Sequence, residues 1–367
     1  MICGMVPLRA KKFIPFLIDD LRSIGSPRWA HDEVHALFDG IAQVIVDDAP
    51  TRVEFFSRFQ PGGPYDGTVG IYRRNVSAAR IGIFDRELVE GLPPSVKWIA
   101  HNGAGYDSVA VHACKEKGER LSWARLLQRL HLNVRRLRHP RLQHPRCSRR
   151  SHCYYCALPH PLYPAPLLQS RTLLYAGTWK TPISSGNTHD LTTRTIGILG
   201  LGGIGLHLAQ LVHAFPMRVL YHNRRHRTDV PEWCEYVESL EELCARSDVL
   251  SVHVPLHEET RGLVGEREMR AMKRGSVLVN TAREGVVDEE AMIRALEDGH
   301  LASVGLDVYP DEPRVNPRLL AFPQNALLPH TGTRTRDTER KMEVRAMTNL
   351  RDFLLTGSGK DLVPELR

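Results

Sequence analysis

The sequence lacks the features that define several classes of protein. It has no run of about 18 apolar residues, so no membrane span is predicted. Its first residues lack the apolar core and small-residue cleavage site of a secretory signal, so the predicted location is cytoplasmic. The seven cysteines are irregularly spaced and predict no disulfide framework. A chain of 367 residues with ordinary globular composition can instead bury the cores of two domains.

Most of the chain has no excess of positive charge, although the net charge of the whole is +7. Residues 119–175 hold 11 arginines, no lysine and one acid, and the remaining 38 basic and 41 acidic residues give a net charge of −3. That remainder is typical of an enzyme, and the arginine-rich segment lacks the interleaved aromatic residues of a recognition module, so no nucleic-acid partner is predicted. Because the segment also contains six prolines and five histidines, we expect it to be irregular.

Short apolar runs separated by turn residues predict an α/β fold. In residues 1–118 we expect strands at Val44–Val46, Thr68–Tyr72 and Val96–Ala100 and a helix at Asp85–Leu92. In residues 190–325 strands alternate with helices, which predicts a doubly wound parallel sheet. Its strands are expected at Arg194–Leu199, Arg218–His222, Val249–Val254, Ser276–Asn280 and Ala302–Val308. A further helix is predicted over residues 331–355.

A glycine-rich loop follows the first strand of the second region. The run Gly200-Leu201-Gly202-Gly203-Ile204-Gly205 fits the G-x-G-x-x-G pattern between a strand and a helix, as a dinucleotide-binding loop requires. Gly200 permits the tight turn, Gly202 lets a pyrophosphate approach the backbone, and Gly205 lets the helix pack on the sheet. A plain glycine turn is the alternative.

The next strand ends in Asn223, Arg224 and Arg225, without an acid. An NAD site usually has Asp or Glu here to bind the ribose 2′-hydroxyl. Guanidinium groups suit a 2′-phosphate instead. We therefore favour NADP over NAD, with solvated surface arginines as the alternative.

Three side chains with complementary chemistry follow later strands, where open α/β sheets bind ligands. Reduction of a 2-keto acid needs a cation for the carboxylate and a proton donor for the carbonyl oxygen. Arg283 can bind a carboxylate through its two-pronged guanidinium, and His330 can be the acid because imidazole ionises near neutral pH. Glu312 can accept a hydrogen bond from His330 and favour its protonated form. Taken singly, each also fits a residue without a catalytic role.

Several motifs resemble those of the D-2-hydroxyacid dehydrogenases, especially the fungal glyoxylate/hydroxypyruvate reductase branch. Beyond the glycine loop they are His101–Asp107, Val252–Leu256 with Thr260, Met272–Arg283, Gly305–Tyr309 and Pro329–Gly332, in family order over residues 65–118 and 176–355. The resemblance implies NAD(P)H-dependent reduction of a small 2-keto acid to the D-2-hydroxy acid, with Arg283, Glu312 and His330 as the catalytic residues. It also implies a homodimer formed through the cofactor domain.

The resemblance implies the remaining site residues and the domain organisation as well. The substrate carboxylate would meet Arg283 and the backbone of Asn102, Gly103, Ala104 and Gly105, and Asp307 would lie near the nicotinamide amide. Further cofactor contacts are expected from His253, Pro255, Thr260, Thr281, Ala282 and Gly332. Residues 1–118 and 331–367 would form a discontinuous, flavodoxin-like substrate domain, residues 176–330 a Rossmann-type cofactor domain, and the cleft between them the active site.

Glu284 departs from the family pattern, which usually has glycine after the arginine. Its carboxylate would neutralise Arg283 if the two side chains paired. A side chain at this position would also strain the turn if the backbone needed the left-handed region.

Residues 119–175 depart from the family as a whole segment. The family has a Val-Ser-Asn-Thr-Pro-Gly-Ala-Val run and a helix here, and residues 138–172 encode such a sequence when back-translated with suitable codons and read one base later. We hypothesise that residues 119–137 translate a retained intron and that the frame returns between Thr172 and Ala176. This hypothesis accounts for Cys153, Cys156 and their neighbours His152 and His160 without a metal, so no zinc site is predicted.

Two alternatives to a working reductase stay open. One is a non-catalytic corepressor-like protein that keeps the dinucleotide fold, and the other is an inactive product of a mis-spliced transcript. Turnover of a 2-keto acid distinguishes an enzyme from both.

Overall fold

The computed structural model describes residues 12–17, 29–74, 77–103, 105–123, 173–178, 190–363 and 366. These residues fall into two compact units. Unit 1 takes its residues from Met1–Ser148 and Thr335–Arg367, and unit 2 from Arg149–Arg334. No helix within the described ranges is long and apolar enough to cross a membrane.

Each unit is built on a parallel sheet. Unit 1 contains β1 (Lys12–Leu17), β2 (Ala42–Asp47), β3 (Gly70–Arg74), β4 (Trp98–Asn102) and β5 (Arg120–Trp123), in the flavodoxin-like order 2-1-3-4-5. Unit 2 contains β6 (Thr195–Leu199), β7 (Arg218–His222), β8 (Cys234–Tyr236), β9 (Val249–Val252), β10 (Ser276–Asn280), β11 (Leu301–Leu306) and β12 (Ala326–Leu327), in the order 12-11-10-9-6-7-8. The predicted α/β class, with a doubly wound sheet and a flavodoxin-like partner, is confirmed.

The described helices follow the same alternation. In chain order they are α1 (His31–Phe38), α2 (Arg52–Ser57), α3 (Ala78–Ile81), α4 (Arg86–Gly91), α5 (Val111–Glu116), α6 (Gly203–His213), α7 (Leu240–Arg246), α8 (Glu266–Ala271), α9 (Glu289–Glu297), α10 (Pro317–Leu320) and α11 (Arg336–Thr356). Local signals set their ends. Thr335 caps the first turn of α11 by accepting a hydrogen bond from the backbone N–H of Thr338, and Gly357 ends it at a φ of 72°.

The expectation that residues 119–175 are irregular is wrong at the start of the segment. Arg120–Trp123 forms β5, which pairs with β4, and Leu121 and Ser122 are buried there. The prediction averaged the composition over the whole arginine-rich segment, so it did not detect four residues that form a strand at the edge of the sheet. The other end of the segment also holds a helical turn, at residues 173–175. The rest of the proposed retained intron and shifted frame lies outside the described residues, and sequencing of the mature transcript tests that hypothesis.

The sheet of unit 2 is covered on both faces, as a parallel sheet requires. Ile196 and Ile198 of β6 belong to the apolar cluster that includes Leu208 of α6. A Cβ atom on Gly197, which lies between them, would be 3.1 Å from Leu243 of α7. Since successive strand residues point to opposite faces, α6 and α7 pack on opposite sides of the sheet. The carboxyl ends of β6, β9, β10 and β11 are left for the loops that carry the candidate site.

Candidate active site

The glycine loop between β6 and α6 uses its three motif glycines for three different reasons. Gly200 has a φ of 96°, and a Cβ atom there would be 2.9 Å from the backbone carbon of His253. A Cβ atom on Gly205 would be 2.5 Å from the Gly200 oxygen, so the first turn of α6 could not pack as it does. A Cβ atom on Gly202 would meet nothing within 4 Å. That open space, at the N-terminus of an 11-residue helix, fits a pyrophosphate.

Two side chains bind the backbone of Leu201, on either side of its Cα, inside this loop. Asn223, at the end of β7, accepts a hydrogen bond from the Leu201 N–H at 2.6 Å. Arg227 donates to the Leu201 carbonyl oxygen at 2.6 Å and pairs with Asp229. The sequence pointed to Asn223 but not to Arg227, which looked like one more member of a basic run.

The two arginines expected to bind a 2′-phosphate lie at the surface. Arg224 and Arg225 are exposed beside the glycine loop. Arg224 donates to Glu259 at 3.1 Å, in a pair whose side chains are 82% and 72% exposed, so the pair contributes little to stability. Within the part of the chain that is described, Arg225 makes no ion pair.

The other expected cofactor residues lie on the loops that follow β9, β10 and β12. After β9, the His253 ring contacts the Ser251 hydroxyl at 2.8 Å, and Thr260 donates to the Pro255 oxygen at 2.6 Å. Thr281 and Ala282 follow β10, and Gly332 follows β12. All of these loops leave the carboxyl edge of the parallel sheet, as does the glycine loop.

Arg283 lies in the turn that leaves β10. Its backbone is extended, with a φ of −144°, and its guanidinium donates to the Ala282 oxygen at 2.7 Å. Glu284 follows in a short 3-10 turn, and its φ is not positive. Among the described residues it has no ion-pair partner. Neither the strain nor the neutralisation considered for Glu284 is present in the described residues.

His330 and Glu312 form a direct pair. The imidazole Nδ1 lies 3.0 and 2.9 Å from the two carboxylate oxygens of Glu312, and the side chains are 50% and 37% exposed. Glu312 Oε1 also accepts a hydrogen bond from the backbone N–H of Tyr309. Because the carboxylate accepts, Nδ1 carries a proton, and Nε2 is the ring nitrogen that Glu312 does not engage.

Asp307, which follows β11, holds the turn that carries His330. It is 1% exposed and accepts hydrogen bonds from the backbone N–H groups of Thr331 at 2.7 Å and Gly332 at 2.9 Å. Burial raises the pKa of Asp307, and these two hydrogen bonds counteract part of that rise. His330 itself lies in the left-handed region with a φ of 52°, so the turn depends on such support.

In unit 1, the His101 side chain supports the loop that is predicted to contact the substrate. The His101 Nε2 donates to the Gly105 oxygen at 2.7 Å, and a Cβ atom on Gly103 would be 2.5 Å from the same nitrogen. Asn102, at the end of β4, donates to the Tyr72 hydroxyl at 2.7 Å. Ala104 lies outside the described residues.

Arg73 is a further residue of this loop that the sequence did not single out. It is fully buried, donates to the Ser108 hydroxyl at 2.9 Å and stacks over the Phe84 ring at 4.8 Å. Burial lowers the pKa of Arg73 to about 10. Arg73 therefore anchors the far end of the loop that begins at Gly103.

The residues considered for zinc lie outside the described part of the chain: His152, Cys153, Cys156 and His160. Within the described part, no group of His, Cys, Asp and Glu side chains is arranged to hold a metal ion.

Comparisons with known proteins agree with this architecture. The family model of the D-isomer specific 2-hydroxyacid dehydrogenase, NAD binding domain, matches residues 166–332. The 4-methyl-2-oxopentanoate reductase A of Aspergillus oryzae is 38% identical over 315 residues, 86% of this chain and 89% of that protein. The crystal structure of a glyoxylate reductase from Paecilomyes thermophila is 35% identical, with a TM-score of 0.80, and covers 98% of this chain and 100% of its own. That of an NADPH-dependent glyoxylate/hydroxypyruvate reductase from Sinorhizobium meliloti is 25% identical, with a TM-score of 0.74 and coverage of 97% and 99%.

The doubly wound sheet and its glycine loop are those of a dinucleotide-binding domain, and the matching NAD binding domain family makes the class a nicotinamide-dependent oxidoreductase. The similarity over most of the chain then identifies the family: the chain belongs to the D-isomer-specific 2-hydroxyacid dehydrogenases. It is an NAD(P)-dependent enzyme that reduces 2-keto acids to 2-hydroxy acids. The alternatives of a corepressor-like protein and of an inactive product gain no support from these comparisons.

Proposed function

We propose that this dehydrogenase reduces a small 2-keto acid of the glyoxylate and hydroxypyruvate class, with NADPH as the preferred reductant. The observation that carries the proposal is the His330–Glu312 pair, which lies on the same unit as Arg283 and the glycine loop. The names of the similar reductases support a small 2-keto acid. In this proposal unit 2 is the cofactor domain and unit 1 the substrate domain.

His330 is proposed to protonate the carbonyl oxygen of the substrate. Its Nδ1 faces Glu312, so Nε2 is the nitrogen that is proposed to donate. Arg283 is proposed to hold the substrate carboxylate. In unit 1 the backbone of Asn102, Gly103, Ala104 and Gly105 is proposed to add N–H donors. A bound reduced nicotinamide supplies the hydride.

Steady-state kinetics with glyoxylate, hydroxypyruvate and 4-methyl-2-oxopentanoate test this assignment. We expect His330→Gln to lower kcat by about 100-fold or more, because the proton donor is lost. We expect Arg283→Ala mainly to raise KM for the keto acid, by about 100-fold, because a charge-assisted contact to the carboxylate is lost.

Two other residues of unit 2 provide matched controls. His300 contacts the Met272 oxygen and Arg274 donates to the Asp298 oxygen. Both residues precede the amino ends of β11 and β10, whereas the candidate site lies at the carboxyl ends of the strands. His300→Gln and Arg274→Ala should leave kcat and KM within about twofold of the unsubstituted enzyme. Full activity of His330→Gln would contradict the proposed role of His330.

The preference for NADPH rests on the end of β7. An acid that would bind a ribose 2′-hydroxyl is missing, and Asn223 uses its oxygen to hold Leu201. The exposed guanidinium groups of Arg224 and Arg225 follow directly and can meet a 2′-phosphate. The NADPH-dependent reductase of Sinorhizobium meliloti supports the same preference. A homodimer formed through the cofactor domain and a cytoplasmic location stay predictions from the sequence.

Binding of the two reduced dinucleotides tests the cofactor preference. We expect Arg225→Ser to weaken NADPH binding by about 10- to 100-fold and to leave NADH binding unchanged, because NADH has no 2′-phosphate. The matched control is Arg218→Ser, which removes an exposed arginine of β7 that pairs with Glu235 and should change neither affinity. Equal losses for NADPH and NADH would contradict a 2′-phosphate contact.

A further inference from the structure

Asn280 is a buried amide at the carboxyl end of β10. Its side chain is 2% exposed, and its backbone lies between Val252 of β9 and Leu306 of β11. The amide oxygen accepts a hydrogen bond from the backbone N–H of Ala282 at 3.0 Å, and the amide nitrogen donates to the carbonyl oxygen of Arg283 at 2.9 Å. One side chain therefore grips the backbone on both sides of the peptide that links Ala282 to Arg283.

We infer that Asn280 is a positioning residue that fixes where the Arg283 guanidinium is presented to the substrate carboxylate. This inference rests on the proposed role of Arg283. The turn offers a backbone N–H and a carbonyl oxygen close to the strand end, and the short asparagine side chain supplies both the acceptor and the donor that they need. Aspartate of the same size keeps the acceptor but places a carboxylate oxygen against the Arg283 carbonyl. Serine retains a single hydroxyl on a shorter side chain.

The same residue connects the Arg283 turn to the support of His330. The Asn280 carbonyl oxygen accepts a hydrogen bond from the Asp307 N–H at 3.1 Å, and Asp307 holds the backbone of Thr331 and Gly332. Two buried polar residues on neighbouring strand ends thus fix the turns of two proposed functional side chains. Polar networks of this kind hold a single geometry because each member loses a partner when one moves.

The test is a kinetic comparison of Asn280→Ser and Asn280→Asp with the unsubstituted enzyme. We expect both variants to raise KM for the keto acid by about 10- to 100-fold, since a misplacement of about 1 Å has effects of this size. Dissociation constants for NADPH and NADH should change much less than KM, because the expected cofactor contacts other than Thr281 and Ala282 lie on loops that leave other strands. The Asp variant keeps the volume of the side chain, so it provides a second measurement if the Ser variant fails to fold.

Asn325 provides a control with the same chemistry. It is 6% exposed, accepts a hydrogen bond from the Val304 N–H and donates to the Leu319 oxygen. Asn325→Ser should lower thermal stability to a similar extent as Asn280→Ser and leave KM unchanged. A purely structural role for Asn280 would make the two variants alike.

A double-mutant cycle with Arg283→Ala separates this inference from the proposed function. If Asn280 acts through Arg283, Asn280→Ser should have little further effect on KM once Arg283 is alanine. Additive effects, or an unchanged KM in both Asn280 variants, would overturn the inference. An unchanged KM in Arg283→Ala alone would instead overturn the proposed role of Arg283.

Discussion

Glu119 is a buried acid just before β5, at the beginning of the arginine-rich segment. It is 3% exposed, and Lys117 Nζ lies 3.4 Å from its carboxylate. Burial raises the pKa of Glu119 from 4.5 to about 7, and Lys117 counteracts only part of that rise. A carboxyl group whose pKa is higher in the folded chain than in the unfolded chain destabilises the fold as pH rises between the two values. Glu119 therefore makes unit 1 less stable at neutral pH than in mild acid.

Replacement of Glu119 by glutamine should remove this pH dependence. Between a pKa of 4.5 and one of about 7, the ionised carboxylate costs roughly 3 kcal/mol, which is fully expressed above pH 7. Urea unfolding should show Glu119→Gln and the unsubstituted chain equally stable near pH 4.5, and the variant more stable by about 3 kcal/mol at pH 8. Glu116→Gln, which removes an exposed acid paired with Arg86, should give no such gain. An equal advantage of Glu119→Gln at both pH values would contradict the explanation.

At the scale of elements, different glycines of the glycine loop serve the stability of the fold and the binding of the cofactor. A methyl group on Gly202 enters open space, whereas a methyl group on Gly205 collides with the Gly200 oxygen. We expect Gly202→Ala to keep its Tm but to weaken dinucleotide binding at least about tenfold, because the methyl group occupies the space left for the pyrophosphate. Gly205→Ala should lower Tm by several degrees, as a clash in a packed core does. Equal Tm losses in the two variants would show that Gly202 is structural as well.

The sequence predicted five of the seven described strands of unit 2 because their signals are local, and it missed the short strands β8 and β12. The strands β6, β7 and β10 lie within one residue of their predicted bounds. The strand β1 was not predicted, and it holds Pro15, a residue that is unusual in the middle of a sheet because it lacks a backbone N–H donor.

The candidate site was predicted less completely than the fold. Arg283, Glu312 and His330 were singled out because each carries chemistry that a 2-keto acid requires. Asn280 and Arg73 were not, because their importance comes from hydrogen bonds to backbone atoms of turns whose path the sequence does not reveal. Supporting residues of this kind have no signature in composition or spacing.

At the scale of the whole molecule, the helix α11, which follows unit 2 in the chain, completes the core of unit 1. The apolar face of α11 packs through Met347 and Leu350 into a cluster with Tyr72, Trp98 and Ala100 of β3 and β4. Phe353 stacks on Trp98 with ring centroids 4.7 Å apart. A helix at the C-terminal end is therefore part of the core of the N-terminal strands.

This packing gives a prediction with an internal control on the same helix. Leu350 is fully buried and Leu355 is 51% exposed. Leu350→Ala should lower the free energy of unfolding by about 2–5 kcal/mol, because it removes buried apolar contacts and leaves a cavity. Leu355→Ala should change it by about 0.5 kcal/mol or less. Similar effects of the two substitutions in urea unfolding would show that α11 does not complete the core.

The place of α11 also determines the order in which a ribosome can finish the two units. About 210 residues separate Trp123, at the end of β5, from Arg336, at the start of α11. At a synthesis rate of about 5–20 residues per second, roughly 10–40 s pass before α11 can cover the apolar surface around Trp98. Unit 2 is encoded without interruption and emerges complete before α11 does. The nascent chain therefore exposes an incomplete apolar core until α11 has been synthesised, and such exposed surface favours contacts with chaperones or with other chains.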